Sequence, residues 1–314
     1  MKSVGIDVSK DRLDVAMRPS DDPSTRPFSA TNDERGRQDL VKRLKQLKPD
    51  RIVLEASGGY ETLVVQALAS AKLPVVVVNA RQVRQFAQAT GRLAKTDQID
   101  AEVIAHFGEA VQPAIRPLPD DMHRQLEALV SRRRQLVDMR SDETKRKHTA
   151  PSVVHPNIDA VIEFLSGQID DIDRDLHKLI RSTPAWREAD DLLQSVPGVG
   201  PVLAATLTAL VPELGTLNRK QIAALVGVAP FNNDSGQRDG KRTTWGGRAP
   251  VRAVLYMAAL TGRRFNSMLR ALYDRLVGRG KAHNVALVAC MRKLLVTLNA
   301  IARDRRVWNP QLAG

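Results

Sequence analysis

Cysteine is nearly absent from this chain. Its 314 residues hold one, Cys290, so neither an intrachain disulfide nor a cysteine-based zinc site can form. Cys290 falls in the apolar stretch VALVACMRKLLVTL, where a buried structural thiol is expected. The six histidines are scattered, and none has metal-ligand spacing. No G-x-x-x-x-G-K-[ST] loop is present, so chemistry driven by a bound nucleoside triphosphate has no signature here. There is no run of about 18 apolar residues of the kind that crosses a bilayer. No signal-peptide pattern precedes the first strand. The expectation is a cytoplasmic protein with no membrane partner.

What the chain has in excess is positive charge. The net charge is +13, which suggests a polyanionic partner. From Leu217 to Gly314 there are 18 Lys and Arg against 4 Asp and Glu, a balance of +14, so the rest of the chain is nearly neutral. That asymmetry points to a C-terminal region facing nucleic acid. The length exceeds one ordinary core, and two or three domains are expected.

Four carboxylates stand out against this background. Asp7 sits in VGIDVSK, an apolar run that reads as a buried strand, and Glu55 ends a second such run in IVLEASGGYE. Asp97 and Asp100, in KTDQIDA, are three apart at the start of a helical stretch and share one face. Carboxylates at strand ends are costly unless they meet a cation. Converging oxygen ligands suit Mg²⁺ or Mn²⁺, and such ions assist phosphoryl transfer.

The fold class read from the pattern is α/β followed by α. Residues 1–112 predict a hairpin (2–8 and 13–17), a further strand near 25–30, and a helix capped by Asn32 and running to Leu47. A strand at 51–56, a helix at 61–71, a fully buried strand at 74–79, and helices at 81–89 and 97–109 follow. A hairpin-first sheet of this kind resembles the ribonuclease-H-like fold. Residues 113–183 read as a proline-rich linker (PAIRPLP) and two helices near heptad spacing, broken by Pro151 and Pro156. These form either an antiparallel coiled-coil hairpin or dimerisation arm, or an ordinary helical hairpin. Residues 184–314 are mostly helical.

Two segments of that last region carry chemistry. In SVPGVGPVLA, an apolar helix end, a PGVGP turn and a second apolar helix make a helix–hairpin–helix pattern. There Gly198 and Gly200 allow a tight turn and leave backbone N–H groups open to a phosphate. The alternative is a plain helix connector. From Gly227 to Arg248 runs a long polar loop rich in glycine and cations, and such loops are usually functional. Lys241, Arg242, Arg248 and Arg252 can hold phosphates. Ser235 is either a nucleophile beside them or part of a Ser-Gly turn.

Taken in order, GIDVSK, LEASGGYE, KTDQIDA, VPGVGPVLAA and GVAP…SG…GKR…GGR…VRAVLYMAA resemble the DEDD transposases of the insertion-sequence-110 family, a group that includes the Piv/MooV-type invertases. The resemblance spans nearly the whole chain. It implies a RuvC-like N-terminal domain, a coiled-coil segment and a C-terminal transposase domain. It assigns the four acidic metal ligands to Asp7, Glu55, Asp97 and Asp100, and the nucleophile to Ser235. The reaction it implies is recombination of donor and target DNA through a phosphoserine, guided by a structured RNA. Tetramers are implied, with active sites shared between subunits, and the expectation is a homo-oligomer (dimer or tetramer). Two other readings remain at this level. One is a metal-dependent nuclease resembling a Holliday-junction resolvase, with water in place of Ser235. The other is a non-catalytic nucleic-acid-binding scaffold.

Overall fold

Strand β1 (Ser3–Val8) alternates strictly, and that alternation organises the N-terminal half. A computed structural model describes residues 1–19, 26–92, 97–115, 120–231 and 242–310, with the side chains at 97 and 98 excluded. The chain divides into two compact units, Met1–Leu118 and Pro119–Gly314.

In the first unit, β1 pairs antiparallel with β2 (Arg12–Arg18), and Ser9 closes the turn by accepting from Arg12 N and donating to Arg12 O. Strand β3 (Phe28–Thr31), helix α1 (Glu34–Leu47), strand β4 (Arg51–Glu55), helix α2 (Thr62–Ser70), strand β5 (Val75–Val78), and helices α3 (Ala80–Ala89) and α4 (Asp97–Val111) follow. The sheet order is β3-β2-β1-β4-β5, with β1, β4 and β5 mutually parallel. Val4, Ile6 and Val8 meet Leu40 and Leu44 of α1 and Val64 and Leu68 of α2 on one face. Val53 meets Val83 and Ala87 of α3 and Val103, Ile104 and Phe107 of α4 on the other. A mixed sheet covered by helices on both faces fits a ribonuclease-H-like transposase domain.

Three details differ from the sequence expectation. The cap of α1 is Asp33, whose Oδ1 accepts from Gly36 N at 2.7 Å, while Asn32 is spent on Ser9 O. β5 is an edge strand with Val77 38 % exposed, rather than a fully buried one. Pro156 lies in the first turn of the helix His155–Ser182, where its missing N–H costs nothing, so it starts that helix rather than breaking one.

α4 lies unusually close to β1, and two glycines allow it. A Cβ on Gly5 would stand 2.2 Å from Ala105 N and 2.3 Å from Ala101 O. A Cβ on Gly108 would stand 2.3 Å from Ser3 Oγ. Gly108 therefore lies over Ser3 and Ala101–Ala105 over Gly5, so α4 runs antiparallel to β1. Its first turn arrives at the Asp7 end of the strand.

The second unit opens with α5 (Asp121–Thr149) and α6 (His155–Ser182), joined through a 3₁₀ turn at Ser152–Val154. Cross-links at Lys147–Asp159, Arg140–Ser166 and Arg133–Asp173 make them an antiparallel hairpin within one chain. Its open end, at Leu126, Val130, Leu176 and Ile180, packs on Ala205 and Ala209. Helices α7 (Pro184–Gln194), α8 (Pro201–Leu210), α9 (Arg219–Val226), α10 (Ala249–Phe265), α11 (Ser267–Gly278) and α12 (His283–Asp304) complete the unit. Of the helices among the described residues, α12 alone is long and apolar enough to cross a membrane, contrary to the sequence expectation of no such run. Here it is the central core helix: Leu294, Leu295 and Leu298 pack with Leu203, Leu207, Val251 and Leu255. Cys290 is fully buried in that core, and burial pushes its thiol up to about 11, which leaves it inert as a nucleophile.

Gly5→Ala forces its new methyl into the backbone of α4, which cannot move as a side-chain tip can. The expected loss of stability is about 1–3 kcal/mol, the range of overpacked cores. Denaturant unfolding of the variant checks this, and an unchanged midpoint contradicts the close approach.

Candidate active site and nucleic-acid surfaces

The register of β1 sets the geometry of the first site. Ile6 pairs with Leu54 in the parallel ladder, so the next step brings Asp7 beside Glu55 at the carboxyl ends of two neighbouring strands. Val53 and Gly5 both face α4, and Glu55 and Asp7, two residues on, share that face. All three described carboxylates of the predicted set, Asp7, Glu55 and Asp100, are half-buried. Asp100 lies in the first turn of α4, at the end of the helix that reaches Asp7. Asp97 opens the same helix, and its side chain lies outside the described residues.

A fifth carboxylate joins this face. Asp14 is the antiparallel partner of Asp7, and Ala16 two residues later packs on Ala101 and Ala105 of α4. Asp14 is only 4 % exposed. Its Oδ1 accepts from Arg12 Nε at 3.0 Å, Arg12 Nη2 at 2.8 Å and Ser29 Oγ at 2.6 Å. That salt bridge neutralises Asp14. The alternation of β2 already placed it opposite Asp7; it was missed because only the strand ends drew attention.

The loop after Glu55 is built to hold still. Glu61 Oε2 accepts from Ser57 N at 3.1 Å, Ser57 Oγ at 2.9 Å and Gly59 N at 2.9 Å. Burial raises the Glu61 pKa, and these hydrogen bonds outweigh it, leaving the carboxyl below its ordinary 4.5. Gly58 and Gly59 have φ of +75° and +113°, with open space where a Cβ would sit.

Among the described residues no group of three His, Cys, Asp or Glu side chains is drawn together tightly enough to hold a metal ion as it stands. The donor chemistry nevertheless fits one. Every candidate is a carboxylate, the hard oxygen donor that Mg²⁺ and Mn²⁺ prefer. Asp7 and Glu55 share one sheet face beneath the start of α4, where like charges repel. Asp7, Glu55, Asp97 and Asp100 are the residues that would hold such an ion.

In the second unit, the predicted hairpin runs from α7 through Pro197–Gly200 into α8. Gly198 has φ +95°, and its missing Cβ would meet Gly262 Cα at 2.4 Å. Gly200 is extended (φ −107°, ψ 177°) and caps α8 with open space around it. Gly198 is thus required by packing, whereas Gly200 keeps the helix start clear.

The ends of the long loop are stapled together. Phe231 N donates to Thr243 O at 2.9 Å, and the Phe231 and Trp245 rings lie 5.8 Å apart. A Cβ on Gly227 would stand 2.3 Å from Gly246 O, and one on Gly247 2.4 Å from Gly227 N. The GVAP and GGR motifs therefore meet backbone to backbone. Arg252 Nη1 donates to Gly246 O and to Val226 O across this staple. Arg248 grips Glu213 with two bonds of 2.6 and 2.7 Å, a pair 35 residues apart that no local pattern announces. Arg242 is exposed at the loop base. Ser235 and Lys241 lie outside the described residues.

The Glu61 clasp carries a pH signature. A carboxyl held below its ordinary pKa stabilises the turn fully above that ordinary value and loses the contribution as pH falls through its folded pKa. Amide-exchange protection at Ser57 and Gly59 should therefore hold near neutral pH and drop in acid. Glu61→Ala should lack it at every pH. Protection that is the same in acid and at neutrality contradicts the clasp.

Comparison with known proteins identifies the family. Residues 4–156 match a family profile described as "Transposase", of the DEDD insertion-sequence-110 type. Residues 190–274 match one described as "Transposase IS116/IS110/IS902 family". The chain is 26 % identical over 323 aligned positions to the pilin gene-inverting protein of Moraxella bovis, covering 98 % of each chain. It is 25 % identical to the Moraxella lacunata protein of the same name, with the same coverage. A shorter match, 30 % identical over 156 residues, joins it to the 44.8 kDa protein of insertion element IS116 of Streptomyces clavuligerus, covering 46 % of this chain and 36 % of that one. By these two profile matches and the full-length likeness to the Moraxella proteins, the chain belongs to the insertion-sequence-110 family of transposases and recombinases.

Proposed function

We propose that this protein cuts and rejoins donor and target DNA through a covalent phosphoserine on Ser235, with Asp7, Glu55, Asp97 and Asp100 as its divalent-cation site. The observation that carries the reading is the register that sets Asp7 beside Glu55 beneath the first turn of α4. Mg²⁺ or Mn²⁺, when bound there, would polarise the scissile phosphate and ease ionisation of the serine.

The serine Oγ attacks phosphorus, loses its proton and forms a phosphodiester, while one strand oxygen departs as a hydroxyl. Attack by a hydroxyl of the partner strand reverses the exchange and releases the serine. Bond energy is conserved, so no nucleoside triphosphate is spent, in keeping with the missing phosphate-binding loop. A free serine hydroxyl is a weak nucleophile and needs activation, and nearby guanidinium groups stabilise charge on the reacting phosphate. Lys241 and Arg242 follow the serine six and seven positions on and are candidates for that role. Arg248 and Arg252 serve first to hold the ends of the loop, and any phosphate contact they make adds to that role.

The basic C-terminal third supplies non-specific affinity, with the Gly198–Gly200 hairpin on a phosphate backbone. A structured RNA directing target choice, a homo-oligomer of dimer or tetramer form, and the serine of one subunit serving the carboxylates of another follow from the family resemblance. Inversion, as in the name of the Moraxella relatives, and transposition differ only in which two DNA sites are brought together.

Trapping on a suicide DNA substrate, followed by denaturing electrophoresis and peptide mass spectrometry, should give a DNA adduct at Ser235. Ser235→Ala should retain the fold to within about 0.5 kcal/mol, bind DNA, and give no adduct. Mixing Ser235→Ala with Asp97→Asn subunits should restore part of the activity. Metal-dependent cleavage with no adduct would instead identify a resolvase-like nuclease, and binding without any cleavage a scaffold.

A further inference from the structure

The corner between α10 and α11 carries a feature that the cutting chemistry does not use. Phe265, the last residue of α10, is 69 % exposed. Arg263 and Arg264 directly precede it. Beside them lies a hollow of about 320 Å³ lined by Arg263, Arg264, Arg270, Tyr273 and Asp274. Asp274 is the single acid among these five.

Arg263, Arg270 and Tyr273 are anchored here. The Arg263 guanidinium lies 4.8 Å over the Tyr273 ring. Tyr273 Oη is 2.8 Å from His283 Nδ1, and the two rings stack at 23°. Arg270 donates through Nε to Arg263 O at 3.3 Å and through Nη2 to Arg264 O. A cation on the last carbonyls of α10 cancels the negative end of that helix, so the corner stays positive. Asn266 is buried, caps α11 through Met268 N and Leu269 N, and donates to Pro197 O at 3.2 Å. With Gly198 against Gly262, this fixes the corner beside the Pro197–Gly200 turn.

A solvent-exposed aromatic ring that follows two arginines in sequence, beside a hollow lined by three arginines and a tyrosine, suits a flat base with a flanking phosphate. Paired bases within a duplex are stacked on each other and cannot present a face to Phe265, whereas unpaired bases can. We infer that Phe265, with Arg263 and Arg264, forms a binding site for an unpaired nucleotide of single-stranded nucleic acid, its base stacked on the ring and its phosphate on the arginines. The site uses none of the residues proposed for cutting and needs no metal, so its test is independent of the proposed cutting mechanism.

The test is fluorescence anisotropy on the full chain in EDTA with three labelled probes of about 12 nucleotides or base pairs: oligothymidylate, oligouridylate and a duplex. Phe265→Ala should weaken single-strand binding by about tenfold or more and leave duplex binding within about twofold. Phe265→Trp should restore it, which excludes a folding defect. Arg264→Ala should flatten the salt dependence of single-strand binding by about 0.7 in log–log slope. The probe that responds more strongly identifies the strand as DNA or RNA. Single-strand affinity unaffected by Phe265→Ala, or a loss shared equally with the duplex, overturns the site.

Discussion

The close approach of α4 to β1 is the constraint on which the N-terminal unit depends. A helix normally stands off a sheet by the thickness of two side-chain layers. Here Gly5, Gly108, Ala101 and Ala105 remove both layers along one line. The helix therefore comes down with its start at the carboxyl end of the central strand, where Asp7 and Glu55 emerge. Small residues placed by packing rules thus decide where acidic residues meet. Burying several carboxylates on one face is unfavourable unless a cation compensates. Asp14 has its cation in Arg12, within the protein. Asp7, Glu55 and Asp100 are hard oxygen donors of the kind the proposed divalent-ion site requires.

The second unit uses glycine in the same way for a different end. Gly198 against Gly262, and Gly227 against Gly246 and Gly247, bring backbone against backbone at two places. Each contact pins a surface segment, the hairpin turn in one case and the base of the serine loop in the other. Arg252 and the Arg248–Glu213 pair reinforce the second. Clamping the two ends fixes the points at which the segment between them joins the body.

Much of this was legible in the sequence because its signals are local. Two short apolar runs around a tight turn marked the β1–β2 hairpin, and near-heptad spacing marked α5 and α6. The motif carboxylates could be placed at strand and helix ends without knowing the topology. What escaped was relational. That β5 is an edge depends on strand order, which no single segment encodes. Asp14 required pairing the two strands of the hairpin before asking which side chains share a face. Glu213 could not be connected to Arg248 because they are distant in sequence and meet only through tertiary packing. Asn32 and Asp33 are both competent caps, and the choice between them rests on Asn32 being taken by the neighbouring turn. The motif glycines read as flexible turn formers; at Gly227 and Gly247 they are also close-packing residues.

Direct measurement of divalent-ion binding tests the central claim. Titration of Mn²⁺ into the metal-free protein, followed by electron paramagnetic resonance, should detect a saturable site. Asp7→Asn and Glu55→Gln should each abolish or greatly weaken it, whereas Arg12→Ala, outside the set, should leave it in place. Saturable Mn²⁺ binding that survives both carboxylate substitutions, or no binding by the unaltered chain, would contradict the account.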